Sequence, residues 1–320
     1  MSLSRDDHRF MAQALALAER GRYTTRPNPR VGCVLVKDGQ VIAEGYHFRC
    51  GSAHAEVHAL QQLDSRHQAK GATAYVTLEP CSHQGKTGAC AVALVDAGIA
   101  RVVYAMEDPN PLVSGRGLNM LREANVQVDG PLLAAQAQQI NQGFVMRMQQ
   151  QRPWVRCKIA MSLDGRTAMA SGESQWITSA PARQDVQKLR AQSGAVITGI
   201  DSILQDNSRL TLRANELNIG AIDDVMTMPP IRVVLDSQLR IPHDAALFSE
   251  AGQVLIVTSR AASVEIEQQL KAAWPTTVNV QRIDNDENGI NLAQVLQYLA
   301  EHYQCNDVLV EAGATLSGAF

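Results

Sequence analysis

Two short stretches hold the side chains best suited to bind a metal and move a proton. The first is His54-Ala55-Glu56. The second is Pro80-Cys81, followed after eight intervening residues by a second thiol, Cys90. One imidazole and two thiolates form the donor set of a Zn2+ site with three protein ligands, which leaves one position open for water. Sulfur and imidazole favour zinc over hard cations. Zinc in such a site lowers the pKa of water to about 7, and a carboxylate beside it can take a proton and pass it to a leaving group. A lone His-x-Glu or a lone cysteine pair carries little. Together and in this order, they predict a hydrolytic metal centre with His54, Cys81 and Cys90 as ligands and Glu56 as proton shuttle. A structural zinc would need a fourth ligand, and only three are evident.

The chain has 320 residues, 45% hydrophobic and 19% charged, with a net charge of −3. That length suits about two domains. The balance argues against a basic nucleic-acid stripe, and no apolar run is long enough for a transmembrane helix. The opening "MSLSRDDHRFMAQALALAERGR" has helical spacing and early acidic residues, so it reads as a mature helix rather than a signal peptide. A cytoplasmic location is expected. In that setting the six cysteines read as ligands or core residues rather than disulfides. Cys33 and Cys157, in strand-like runs, are expected to be small buried hydrophobes.

The elements that must position the metal residues alternate along the first half. Asp38-Gly39 separates two β-rich runs, a hairpin signal. "HAEVHALQQL" reads as a helix with Val57, Leu60 and Leu63 on one face, "ATAYVTLEPC" as a buried strand, and "CAVALVDAGI" as a helix closed by Gly98. A strand ending at Asp-Pro-Asn-Pro, a helix and a short strand follow, giving a three-layer α/β domain. The polar run "MRMQQQRPW" reads as a linker, or as the continuation of the preceding helix; either way the boundary falls near residue 150. Beyond it, "WVRCKIAMSLDG", "GAVITG", "IRVVLD", "QVLIVTS" and "DVLVEAG" alternate with helical patterns, predicting a mostly parallel, doubly wound sheet. No G-x-G-x-x-G is present, so the residues alone do not identify a dinucleotide site. The glycine turn of "EAGATLSGA" after a strand offers small residues and backbone N–H groups for a pyrophosphate. The chain stops soon after it, where a further covering element is expected, so this domain is expected to lack its C-terminal end.

The long cysteine loop "PCSHQGKTGAC", with "RPNPRVGCVLV", "HAEVHAL", "EDPNPLVSGRGLNMLREANV", "KIAMSLDGRTA", "SGESQWITS" and "EAGATLSGAF", resembles the bifunctional riboflavin-biosynthesis deaminase/reductase family over nearly the whole chain. One departure is Ala89, where the family usually has proline. The resemblance implies a cytidine-deaminase-like domain over residues 1–147 and a dihydrofolate-reductase-like domain over 148–320. It implies zinc-dependent deamination of a diaminopyrimidine ribosylamine 5′-phosphate, then NADPH reduction of its ribosyl group to ribityl. By resemblance, Asn28, His47, His83, Lys86 and Thr87 fall at deaminase substrate positions. Asn28 and His47 also read as turn chemistry and a satisfied strand-end imidazole, and Lys86 as a solvated loop lysine.

In the second domain the resemblance places Ala160, Trp176, Ser202, Asp206, Ser237 and the run Gly313, Ala314, Thr315, Leu316, Ser317, Gly318 and Ala319 at NADPH positions. It places Ser174, Arg190, Leu210, Arg213 and Glu311 at substrate positions. Lys158 and Asp164 could orient the sugar or stabilise charge near its C1′. Arg190 and Arg213 carry forked donors suited to a phosphate, or are a solvated helix face and a strand end. The expected partner is a small phosphorylated pyrimidine, with neither nucleic acid nor membrane, in a homo-oligomer. An alternative reading is a nucleic-acid base deaminase with an appended domain, which shares the zinc chemistry but lacks a basic patch here.

Overall fold

The computed structural model describes residues 3–82, 88–111, 113–171, 173, 176–287 and 289–320. It divides into two compact units, Met1–Gln150 and Gln151–Phe320.

In the first unit the order is α1 (Arg5–Glu19), β1 (Gly32–Lys37), β2 (Gln40–Tyr46), α2 (Ala55–Gln61), β3 (Thr73–Val76), α3 (Cys90–Asp96), β4 (Arg101–Tyr104), α4 (Arg116–Glu123), β5 (Gln127–Asp129), α5 (Ala134–Ile140) and α6 (Gln142–Gln150). The sheet runs β2-β1-β3-β4-β5. β1 is antiparallel to β2 and β3, whereas β3, β4 and β5 run parallel. Asp38 and Gly39 both have positive φ, the conformation a tight two-residue hairpin demands. α1 starts at a capping box in which Ser4 and Asp7 satisfy each other's end of the helix. The same Asp7 carboxylate, buried, accepts from Tyr75 of β3 at 2.8 Å and Arg101 of β4 at 2.7 Å, and Arg101 continues to Asp129 of β5 at 2.6 Å. One helix cap is thereby bonded to three strands.

Gly45 lets α2 lie hard against β2: a Cβ there would sit far inside contact with the Ala55 carbonyl. The buried side of α2 is Ala55, Glu56, Ala59 and Leu60; Val57 and Leu63 are only half-buried. The apolar periodicity misplaced that face because Glu56, a charged residue, points inward. The polar run ending at Gln150 is helical, not a linker. Asn141 interrupts the helix, and its amide bonds Arg30 through both backbone groups, Arg30 N to Oδ1 at 2.8 Å and Nδ2 to Arg30 O at 2.9 Å.

The second unit comprises β6 (Trp154–Lys158), α7 (Ala180–Gln192), β7 (Ala195–Gly199), α8 (Ile200–Asp206), α9 (Ile222–Met226), β8 (Ile231–Leu235), β9 (Val254–Ser259), α10 (Val264–Ala273), β10 (Val278–Ile283), β11 (Asn285–Asp286), β12 (Gly289–Ile290), α11 (Leu292–His302), β13 (Asp307–Glu311) and α12 (Ala314–Ala319). Its six-stranded sheet, β10-β9-β8-β7-β13-β6, is parallel throughout. β7, β8 and β9 are near-continuous apolar runs, as a sheet covered on both faces requires. Arg232 of β8 is buried; its guanidinium donates to the carbonyls of Leu247, Glu250, Ala251 and Gly252 and clasps that turn to the sheet. β6 ends at Lys158, sooner than the apolar run suggested, and Cys157 is exposed rather than buried. Among the described residues β6 stands at the edge of the sheet, with β13 on one side only. Among the described residues no helix is long and apolar enough to cross a membrane.

Candidate active sites

His54 is the N-cap residue of α2, and its side chain makes no capping bond. The ring instead turns to the end of β3, where Leu78, Glu79 and Pro80 lead to Cys81. Its Nδ1 lies 3.2 Å from Cys90 Sγ and 3.6 Å from Cys81 Sγ. Cys90 opens α3, and its backbone N–H donates to Cys81 Sγ at 3.3 Å. The three donor atoms lie within 4.8 Å of one another. Bond lengths of about 2.0 Å to nitrogen and 2.3 Å to sulfur in a tetrahedron require N···S separations of about 3.5 Å. The trio therefore fits a zinc ion in both spacing and donor chemistry.

The two sulfurs hydrogen-bond each other. That contact holds Cys81 down at about 4 and pushes Cys90 far above the usual thiol range, with burial adding to the rise. A divalent cation suits the place of the proton they share. The hydrogen bond to Cys81 raises the His54 imidazole. Glu56, on the first turn of α2, is buried, and burial together with the Cys81 charge pushes its carboxyl up to about 7.

Asn28 and His47 are brought to the same place. His47 is 2% exposed and meets the His54 ring edge-on, 5.2 Å between centroids. Its Nδ1 faces the Ala53 carbonyl at 3.1 Å, and its Nε2 faces Asn28 Nδ2 at 3.0 Å. A carbonyl only accepts, so Nδ1 carries the proton and Nε2 accepts from Asn28. Burial lowers the His47 pKa, favouring this neutral form. Both ring nitrogens are therefore occupied, and the polar group left to a ligand is the remainder of the Asn28 amide. His83, Lys86 and Thr87 lie outside the described residues.

In the second unit the carboxyl ends of the parallel strands collect several of the predicted positions. Lys158 ends β6 and Ala160 follows it; Ser202 and Asp206 lie on α8 after β7; Ser237 follows β8; Glu311 ends β13, and Gly313 caps α12. β13 sits between β6 and β7, although it follows both in sequence, and so marks the switch point where ligands bind open α/β sheets. Lys158 and Glu311 are register partners. Arg190 reaches Glu311 from α7 through two bonds, with Nη1 donating to Thr211 O at 2.6 Å. Much of the fork predicted for a phosphate is thus given to a carboxylate.

Arg213 pairs with Glu216 at 2.9 Å and is half exposed. Leu210 is buried against Val196 and Leu309. Asp164 is exposed and bonded to Ser162 and Arg166. Trp176 is exposed beneath the Arg183 guanidinium, 4.5 Å from its ring centre. Ser174 lies outside the described residues. Sequence reasoning gave no role to Glu79, a buried carboxylate two residues before Cys81. Its signal is an acidic residue just past the end of an apolar strand, where a buried carboxylate is stable only when hydrogen-bonded.

The fold and the donor trio define a cytidine-deaminase-like unit followed by a dihydrofolate-reductase-like unit. The cytidine and deoxycytidylate deaminase zinc-binding region matches residues 4–106, and the RibD C-terminal domain matches residues 153–320. The riboflavin biosynthesis protein RibD of Escherichia coli is 48% identical over 98% of this chain and 83% of its own length; that of Haemophilus influenzae is 45% identical over 100% and 83%. A solved Acinetobacter baumannii RibD superposes with a TM-score of 0.88 at 47% identity, covering 99% of this chain and 83% of that one. The chain belongs to the RibD family.

Proposed function

We propose that this chain catalyses two successive steps of riboflavin biosynthesis. The first unit deaminates 2,5-diamino-6-ribosylamino-4(3H)-pyrimidinone 5′-phosphate, and the second reduces the ribosyl group of the product to ribityl. The observation that carries the reading is the His54–Cys81–Cys90 trio beside buried Glu56, in a chain whose other half is a RibD C-terminal domain.

His54 Nδ1 and the two sulfurs would hold zinc, which would supply Lewis acidity and lower the pKa of water. Glu56 takes a proton from the attacking water and delivers it to the departing amine, so that water replaces ammonia at the ring carbon. Asn28, its amide oriented by His47, presents an acceptor and a donor to the pyrimidine edge. His83, Lys86 and Thr87 complete this substrate site.

In the second unit NADPH supplies the hydride. Ala160, Trp176, Ser202, Asp206, Ser237 and Gly313–Ala319 bind it at the carboxyl edge of the sheet. Lys158, Asp164, Ser174, Leu210, Arg213 and the Arg190–Glu311 pair orient the sugar. The enzyme works in the cytoplasm as a homo-oligomer, without nucleic acid or membrane.

A paired assay tests the reading. Ammonia release without NADPH, followed by NADPH oxidation once it is added, is the expected result. Absence of ammonia from metal-replete protein would overturn the deaminase assignment, and absence of oxidation the reductase assignment.

A further inference from the structure

The carboxylate of Glu79 is 3% exposed and faces three backbone N–H groups. Oε2 accepts from Asp108 at 3.2 Å and from Gly115 at 2.9 Å, and Oε1 accepts from Gly117 at 2.9 Å. Asp108 and Gly115 lie in the segment between β4 and α4, and Gly117 lies in the first turn of α4. Two further features place that segment against the same spot. Gly115 has φ 76, which turns the chain into α4. Gly117 lies so close that a Cβ there would overlap the Pro80 carbonyl. Glu79 N also donates to Met106 O at 2.9 Å. The residues just before Cys81 are therefore fastened to the chain that follows β4 and to the start of α4, more than twenty residues distant in sequence. The zinc-binding region recognised in this chain ends at residue 106, so the carboxylate joins that region to chain beyond it.

We infer that Glu79 is a positioning residue for the metal centre: by binding the Asp108, Gly115 and Gly117 amides it fixes the Pro80–Cys81 turn, and with it the Cys81 sulfur, relative to His54 and Cys90. The inference rests on reading those three residues as metal ligands. The physical requirement is two oxygens that only accept. A carboxamide of the same size would turn an N–H donor toward at least one of the three amides. Elements that orient a ligand typically alter metal affinity or activity ten- to a hundred-fold when changed.

The test uses the full chain, wild type and two variants, Glu79→Gln and Gly117→Ala. Each is loaded with Co2+ for its thiolate charge-transfer and d–d absorption. Each is also loaded with Zn2+, to follow release to a chromogenic chelator, and assayed for ammonia release. For Glu79→Gln the expected result is zinc release ten- to a hundred-fold faster, a shifted Co2+ spectrum, and a fall in kcat larger than the rise in KM. Gly117→Ala should move the same readouts in the same direction. It leaves the carboxylate intact but drives a methyl into the Pro80 carbonyl, so where the glutamine variant fails to fold it still reads whether the contact of this segment with α4 sets the Cys81 sulfur. Unchanged Co2+ spectra and zinc release in folded variants would overturn this inference alone. A wild-type chain that takes up no Co2+ would overturn it together with the metal reading.

Discussion

Arg190 and Glu311, 121 residues apart, meet as a fork: Nε donates to Oε1 at 2.6 Å and Nη2 to Oε2 at 3.0 Å, with both side chains nearly buried. The pair ties α7 to the carboxyl end of β13, inside the proposed reductase site. Arg190→Lys keeps the charge but loses the planar fork. NADPH oxidation should fall at least ten-fold while ammonia release stays near wild type. Arg190→Ala leaves the nearly buried Glu311 carboxylate without its partner and should destabilise the second unit by about 2–3 kcal/mol. Calorimetry of the whole chain, read alongside the two activities, checks both expectations.

Glu56 is separable from the donor trio. Glu56→Gln should keep one zinc per chain, because glutamate is not among the three ligands, and should cut ammonia release by about 10²–10⁴-fold. Zinc content by atomic absorption and an ammonia assay decide it. Loss of the metal in this variant would move Glu56 into the ligand set.

Stripping the metal should silence one half only. Chelator-treated chain is expected to release no ammonia, yet still to oxidise NADPH when given the deaminated intermediate. Zinc should restore the first step. Loss of both activities would tie the reductase to the metal and contradict the division of labour.

Acid should loosen the first unit through Asp7. Burial alone would raise its carboxyl, but bonds from Arg101, Ser4 and Tyr75 outweigh burial and hold it well below the usual carboxylate range. A depressed folded pKa means stabilisation present in full above the unfolded value of about 3.9 and lost as pH falls toward the folded one. Asp7→Asn should cost about 2 kcal/mol at pH 7 and show a shallower loss between pH 5 and pH 2. Urea unfolding of both proteins across that range is the measurement, and parallel curves would exclude Asp7 as the acid-sensitive group.

How much of this could be read beforehand followed from distance along the chain. His54 and Glu56 lie on one turn, and Cys81 and Cys90 flank one loop, so their types and order carried the metal centre. The hairpin at Asp38-Gly39 was legible because two residues determine it. The Glu311 partner of Arg190 was not, since only the parallel register of β13 and the approach of α7 bring them together. Cys157 misled because an apolar run looks alike in a central and an edge strand, and the sheet order that separates them is a property of the whole unit. The occupied ring of His47 likewise depends on Ala53 and Asn28 arriving from opposite sides.

The strand order of the second unit has a consequence for synthesis. β6, the unit's first strand, pairs among the described residues only with β13, which follows β7, β8, β9 and β10 in the chain. As the chain leaves the ribosome, β7, β8, β9 and β10 can assemble in turn, while β6 waits with its backbone groups unmatched for about 150 residues. Such long-range closure is slow and leaves sticky edges exposed. Nascent chains arrested before residue 307 should therefore recruit chaperones through β6, and the released chain should not.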